Sequence, residues 1–181
     1  MRVVGRWPSD VVRRAIIKAW SNKMLGGARG SVMVIVALFL PIFVLALGLV
    51  LDLGVLFVQR QQATAAADMA VLAGAREIDL DRLARGERYL LSEPAAGAAR
   101  EWFFKNLRVS LGTEAGAASA IVRVYNATEA NPAVDAVTGR HLRDPTVCLA
   151  GEIPARLYFL GFIVARPTLH VHADASLLLR R

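Results

Sequence analysis

Residues 29–74 read RGSVMVIVALFLPIFVLALGLVLDLGVLFVQRQQATAAADMAVLAG. Twenty residues without a charge, Val32 to Leu51, are followed from Gln59 by a polar, alanine-rich stretch that keeps a helix-forming composition. Only Pro41 and Gly48 interrupt the apolar run. A helix rises about 1.5 Å per residue, so the run is about 30 Å long and matches the hydrocarbon core of a bilayer. The polar continuation from Gln59 to Gly74 then predicts one nearly continuous helix from Gly30 to about Ile78.

Working outward, the charge distribution orients this helix. The chain of 181 residues carries a net charge of +7, and a basic balance of that size raises the question of nucleic acid. Its distribution answers it. Residues 1–29 hold Arg2, Arg6, Arg13, Arg14, Lys18, Lys23 and Arg29 against Asp10 alone, so the tail accounts for +6 and the rest of the chain for +1. Basic residues concentrated just before an apolar span follow the positive-inside rule and place the N-terminus in the cytoplasm; no nucleic-acid partner is expected. Within the tail, Val12, Ile16, Ala19 and Trp20 recur at helical spacing beside Arg13, Arg14 and Lys18. This basic amphipathic segment suits an anionic inner leaflet or a cytoplasmic partner. Gly26 to Gly30 is expected to break it and form a hinge.

Two processing schemes compete with an uncleaved anchor. A cleavable signal peptide has an apolar region of about 7–15 residues followed promptly by a small-x-small site. Here the run is longer, and the first alanine cluster lies beyond Arg60. A prepilin-type cut needs a Glu five residues after the processed glycine. After Gly30 that position is Ile35, and after Gly27 it is Val32. The expectation is therefore a chain that stays anchored, with a processed pseudopilin as the alternative.

On a helical wheel at 100° per residue, Leu45, Gly48, Asp52, Gln59, Ala63, Ala66, Ala70 and Ala73 fall within about 40° of Pro41. Small residues let backbones approach closely, and the three-four-three spacing of the last four alanines is that of a packing face. Beyond the membrane, this face is expected to pack on the chain's own domain. Within it, Pro41 and Gly48 point to self-association or a membrane partner. Asp52, at the outer boundary, is a candidate functional carboxylate or a hydrated one.

The residues quoted so far also carry a resemblance. Arg29-Gly30-Ser31, the Pro41-containing span, Asp52-Leu53-Gly54, Phe57 to Arg60, Gln62-Ala63, Ala66-Ala67-Asp68 and Ala70 to Ala75 stand in the fixed order of the N-terminal module of TadE/TadG-like Flp pilus-assembly proteins. The resemblance is carried by Gly30, Asp52, Gly54, Arg60, Asp68, Ala73 and Gly74. It implies a single-span bacterial inner-membrane protein of the tight-adherence secretion apparatus, with a periplasmic domain and other pilus-assembly proteins as partners. Lacking the prepilin Glu, the chain is more similar to the TadG side of the group. Longer TadG relatives carry a von Willebrand A domain; Asp174-Ala175-Ser176-Leu177-Leu178 departs from its D-x-S-x-S metal motif.

Past Ala75 the chain predicts a small α+β domain. Arg76 to Leu91 is helix-compatible with a break at Gly86, and a second helix follows Pro94, from Ala95 to Leu107, with Trp102, Phe103 and Leu107 on its apolar side. Three strands follow: one where Ala120, Val122 and Val124 alternate with Ile121, Arg123 and Tyr125, one over Val147–Ile153, and one carrying Leu169, Val171, Ala173, Ala175 and Leu177. The segment between the first two, Asn126 to Pro145, reads as a long polar connection, and its Asn126-Ala127-Thr128 sequon as a chance match. Arg156 to Val164, with Tyr158, Phe159, Leu160 and Phe162, reads as a short helix or an apolar turn. The resulting division is a cytoplasmic tail (1–29), a transmembrane helix (30–52), a periplasmic helical region (53–110) and a β-rich region (111–181).

Chemistry-bearing residues are sparse. His170, His172 and Asp174 share one strand face and form a metal-site candidate, but with no further ligand nearby the set is short for a metal. Cys148 alone allows no intramolecular disulfide. No P-loop, G-x-S-x-G or H-E-x-x-H occurs. The expectation is a non-enzymatic component with no cofactor and no metal. It is a membrane-anchored assembly protein, with a periplasmic metal-binding protein as the remote alternative.

Overall fold

The structure, a computed structural model, describes the backbone of residues 9–161 and 167–177, with side chains from residue 32 onward except 113–114. The order of elements is α1 (Ser9–Gly74), α2 (Leu80–Ala84), α3 (Ser92–Leu111), a 3-10 turn (Gly112–Ala117), β1 (Ser119–Asn126), β2 (Ala133–Val134), β3 (His141–Leu142), β4 (Pro145–Pro154) and β5 (Thr168–Ser176). The chain is α+β and has two compact units, Met1–Gly48 and Leu49–Arg181.

The first unit contributes α1 up to Gly48. The expected break at Gly26 to Gly30 is absent, and α1 runs through it as one 66-residue helix. Each glycine costs about 1 kcal/mol in a helix interior, which the helix-forming residues on either side offset. Pro41 also lies inside the helix. The faces expected of the basic tail lie outside the described side chains. From Val32 to Leu47 the large apolar side chains are all exposed, Met33 at 77% and Phe43 at 65% among them. This is the one helix long and apolar enough to cross a membrane among the described residues.

In the second unit, β1, β4 and β5 form an antiparallel sheet with β4 in the centre. Register places Val124 opposite Val147, Val122 opposite Leu149, and Leu149 opposite Ala173. The alternation seen in the sequence thus points Val122, Val124, Val147, Leu149, Val171 and Ala173 to one face, where they share a core with Ala63, Ala66, Ala67 and Ala70 of α1 and Ala95, Ala99, Phe103 and Leu107 of α3. The small faces of two helices let the sheet come close. Gly151 has room only for hydrogen, because a Cβ there would meet Phe103 Cζ at 2.8 Å.

Two expectations are corrected here. Arg76 to Leu91 is not mainly helical: residues 77–79 pair with 89–91 through Leu91 N–H to Glu77 O and Asp79 N–H to Tyr89 O, with an Ile78–Leu90 bridge. Asp79 caps the single turn of α2 by accepting from Arg82 N–H at 3.0 Å, and Gly86, at φ +83°, turns the chain back. Asn126 to Pro145 is not wholly irregular either. It contains the β2–β3 hairpin, which folds Leu142 and Ala133 over Cys148 and Ala127 in a second, small apolar cluster. Asn126 itself ties β1 to the earlier chain, accepting from Leu90 N–H at 2.7 Å and donating to Leu90 O at 3.0 Å.

Candidate functional site

Asp52 is the first acidic residue after the apolar run, and it is buried, with 1% of its surface exposed. A buried carboxylate requires hydrogen-bond donors. Three consecutive main-chain amides supply them. Oδ1 accepts from Tyr158 N–H at 2.8 Å and Phe159 N–H at 3.1 Å. Oδ2 accepts from Phe159 N–H at 3.2 Å and Leu160 N–H at 2.6 Å. Successive amides turned toward one point form an anion-binding nest. Here the helix provides the anion.

Two helical turns on, and so on the same face of α1, Gln59 makes a reciprocal pair with Arg156. Its Oε1 accepts from Arg156 N–H at 3.0 Å, and its Nε2 donates to Arg156 O at 3.2 Å. The two polar residues of the small-residue stripe thus hold one segment, residues 156–160, at two points. That segment is neither a helix nor a strand over 155–161. Its amides point at the carboxylate, so they are not free to form a regular ladder. Tyr158 is 61% exposed and Phe159 45%. The Arg156 guanidinium lies 5.2 Å from the Tyr158 ring, within cation–π range. The expected residues 162–164 lie outside the described residues.

A groove of about 550 Å³ opens beside this clamp, walled by Val50, Leu51, Val55 and Val58 of α1, Leu111 of α3 and Tyr158. Its polar lining includes Gln59, Gln62 and Arg156, and it presents no carboxylate. Such a wall can receive apolar matter.

The other positions singled out in the sequence separate by environment. Ala63, Ala66 and Ala70 are core residues, and Ala73 is half-buried. Gly74 is buried where a Cβ would stand 2.8 Å from the Ala95 carbonyl oxygen. Gly54, Arg60 and Asp68 are exposed, as is Pro41, whereas Gly48 is buried. The surroundings of Gly30 lie outside the described residues.

On the opposite face of the sheet, His170, His172 and Asp174 lie side by side as their spacing predicts, yet each has a different partner. His170 Nδ1 is 3.6 Å from Glu152 Oε1, and Asp174 is paired with Arg140. His172 Nε2 donates to Asp135 Oδ2 at 3.1 Å. The donor atoms the fold does gather, all within 4.8 Å of one another, belong to Asp135, Cys148 and His172. Asp135 also accepts from Val137 N–H and from the amide and hydroxyl of Thr138. Burial alone raises its carboxyl, but the Thr138 and Val137 bonds and the neighbouring His172 outweigh it and hold its pKa below the usual value. Burial and the nearby Asp135 and Asp174 push the Cys148 thiol up to about 12. A protonated thiol and a carboxylate already accepting four hydrogen bonds make this a clasp for the β2–β3 hairpin. Three donors also fall one short of a closed tetrahedral metal set.

Sequence reasoning missed Asp135 and Cys148 as partners of His172, and residues 156–160 as the partner of Asp52. One signal was present for the first: Cys148 falls on the outward phase of β4, where a buried residue needs a cover.

Residues 30–77 match a protein-family model, Tad, with the description "Putative Flp pilus-assembly TadE/G-like". No curated protein and no solved structure matches the chain. The matched segment spans the apolar run, Asp52, Gln59 and the alanine face, and it stops three residues past the end of α1. The clamp's helical half therefore lies inside the match and its loop half outside it. Residues 30–77 of this chain are thus similar to TadE/G-like Flp pilus-assembly proteins.

Proposed function

We propose that the protein is a non-enzymatic, single-pass component of a Flp pilus or related tight-adherence secretion apparatus. It holds a small α+β domain against the outer face of the bacterial inner membrane. Residues 1–29 lie in the cytoplasm, 30–52 in the bilayer, and 53–181 in the periplasm as a helical region to about 110 and a β-rich region beyond. The observation that carries this reading is the coincidence of the TadE/G-like segment with a helix that is exposed and apolar from Val32 and enters a domain core by Ala63. The concentration of basic residues before the span supports the orientation. Other pilus-assembly proteins and, through the Pro41 and Gly48 part of the stripe, further copies of the chain are the expected partners.

The test is deletion of the gene in its own bacterium, with return of the full chain. Surface pili should disappear on deletion and reappear on complementation; piliation unaffected by deletion would overturn the reading. N-terminal sequencing of the membrane-purified protein separates it from a processed pseudopilin, whose mature chain would begin at Ser31.

A further inference from the structure

The segment held by Asp52 and Gln59 carries its most exposed aromatic residues at the level where the apolar run of α1 ends. On α1, Leu49, Val50, Leu51, Leu53, Phe57 and Val58 are all exposed, at 46% or more. Tyr158 lines the same groove wall as Val50 and Leu51, the last residues before Asp52. Four hydrogen bonds to one carboxylate fix the backbone of residues 158–160 beside this boundary, so the aromatic side chains do not owe their placement to their own burial. Tyr, with an apolar ring and a polar tip, is enriched at the level of lipid headgroups, and the Arg156 guanidinium over the Tyr158 ring keeps a cationic head at the same level.

We propose that residues 156–160 form a second membrane contact. Tyr158 and Phe159 enter the headgroup region of the outer leaflet, and the Asp52 clamp sets the depth at which the domain rides on its helix. The partner is the lipid surface, chosen because the exposed apolar surface of α1 continues without a polar interruption other than Asp52, which the loop itself covers. A partner helix or a second copy would bury the same rings away from lipid and from water alike. The proposal rests on the membrane-anchor reading.

The test uses the full chain in nanodiscs of phosphatidylethanolamine and phosphatidylglycerol, in a Cys148→Ala background. One nitroxide is attached through Phe159→Cys, Leu47→Cys or Val137→Cys. Each is read for collision with oxygen, which concentrates in lipid, and with a water-soluble nickel chelate. The label at 47 should favour oxygen, the label at 137 should favour nickel, and the label at 159 should lie between them, with a several-fold higher oxygen-to-nickel ratio than at 137. Water-like values at 159 with lipid-like values at 47 would overturn this proposal and leave the anchor standing. Values at 159 shielded from both reagents would overturn it in favour of a protein partner. A water-exposed label at 47 would sink the anchor reading itself.

Discussion

At the residue scale, one helix face carries two different kinds of polar work. Asp52 is charged and acceptor-only, and it satisfies three amides that no regular structure serves. In Asp52→Asn one oxygen becomes an NH₂ donor facing an N–H, so at least one amide loses its partner and gains a repulsive neighbour. Hydrogen exchange at Tyr158, Phe159 and Leu160 should then accelerate by an order of magnitude or more, while Val147 and Leu149 amides in the central strand stay protected. Equal protection in both proteins would mean that the carboxylate does not hold the loop. Asp135 invites a pH experiment. Its folded pKa lies below the unfolded value of about 3.9, so the charged form contributes stability above that value and loses it as pH falls through the folded pKa. Asp135→Asn should therefore melt below wild type near pH 7, and the gap should close below about pH 4. A gap that is constant with pH would remove the charge of Asp135 from the account of hairpin stability.

At the scale of elements, close approach governs the junction of α1, α3 and β4. At Gly74 a Cβ would also stand 3.1 Å from Ala99 Cβ and 3.2 Å from Val147 Cγ1, whereas Gly97 on α3 has nothing within 4 Å of its Cβ position. Gly74→Ala should destabilise by about 1–3 kcal/mol, as overpacking against backbone does, and Gly97→Ala should stabilise by about 0.5–1 kcal/mol through helix propensity. Chemical denaturation checks the pair; destabilisation of the same size at both sites would mean the junction is not tight. β1, β5 and α3 were legible because the period of their apolar residues records one inward face; β4, buried on both faces over residues 145–149, was legible as a short apolar run ended by Pro154. The β2–β3 hairpin was not, since strands of two residues show no period; what shapes it is Asp135 gathering the Val137 and Thr138 amides, and Gly139 at φ +70°. Arg76 to Leu91 misled because its composition suits a helix while pairing of 77–79 with 89–91 overrides propensity. Asp52 announced itself as a charge after an apolar run, but its partners lie 106 to 108 residues away, and no local pattern encodes that distance. Ala66 is buried, so Ala66→Leu should perturb the core of the domain.

At the scale of the whole molecule, the segment that makes the chain apolar also completes its folded domain. Leu49 to Gly74 contributes Asp52, Gln59 and four buried alanines to the second unit, so the domain does not begin where the hydrophobicity falls. Two fragments separate the contributions. Residues 49–181 keep both clamp residues but leave Leu49, Val50, Leu51 and Leu53 exposed, and this fragment should need detergent to remain monodisperse. Residues 60–181 discard those side chains together with Asp52 and Gln59. They keep Ala63, Ala66, Ala67 and Ala70, so the sheet and α3 should still fold and melt cooperatively. The two hydrogen bonds of Gln59 alone stabilise by about 1 kcal/mol each, so the shorter fragment should melt at least a few degrees lower in the same detergent. Proteolytic nicking at Arg156 should increase with it, because that residue loses both of its bonds to the helix. Equal melting temperatures and equal resistance at Arg156 would show that the loop holds its place without Asp52 and Gln59.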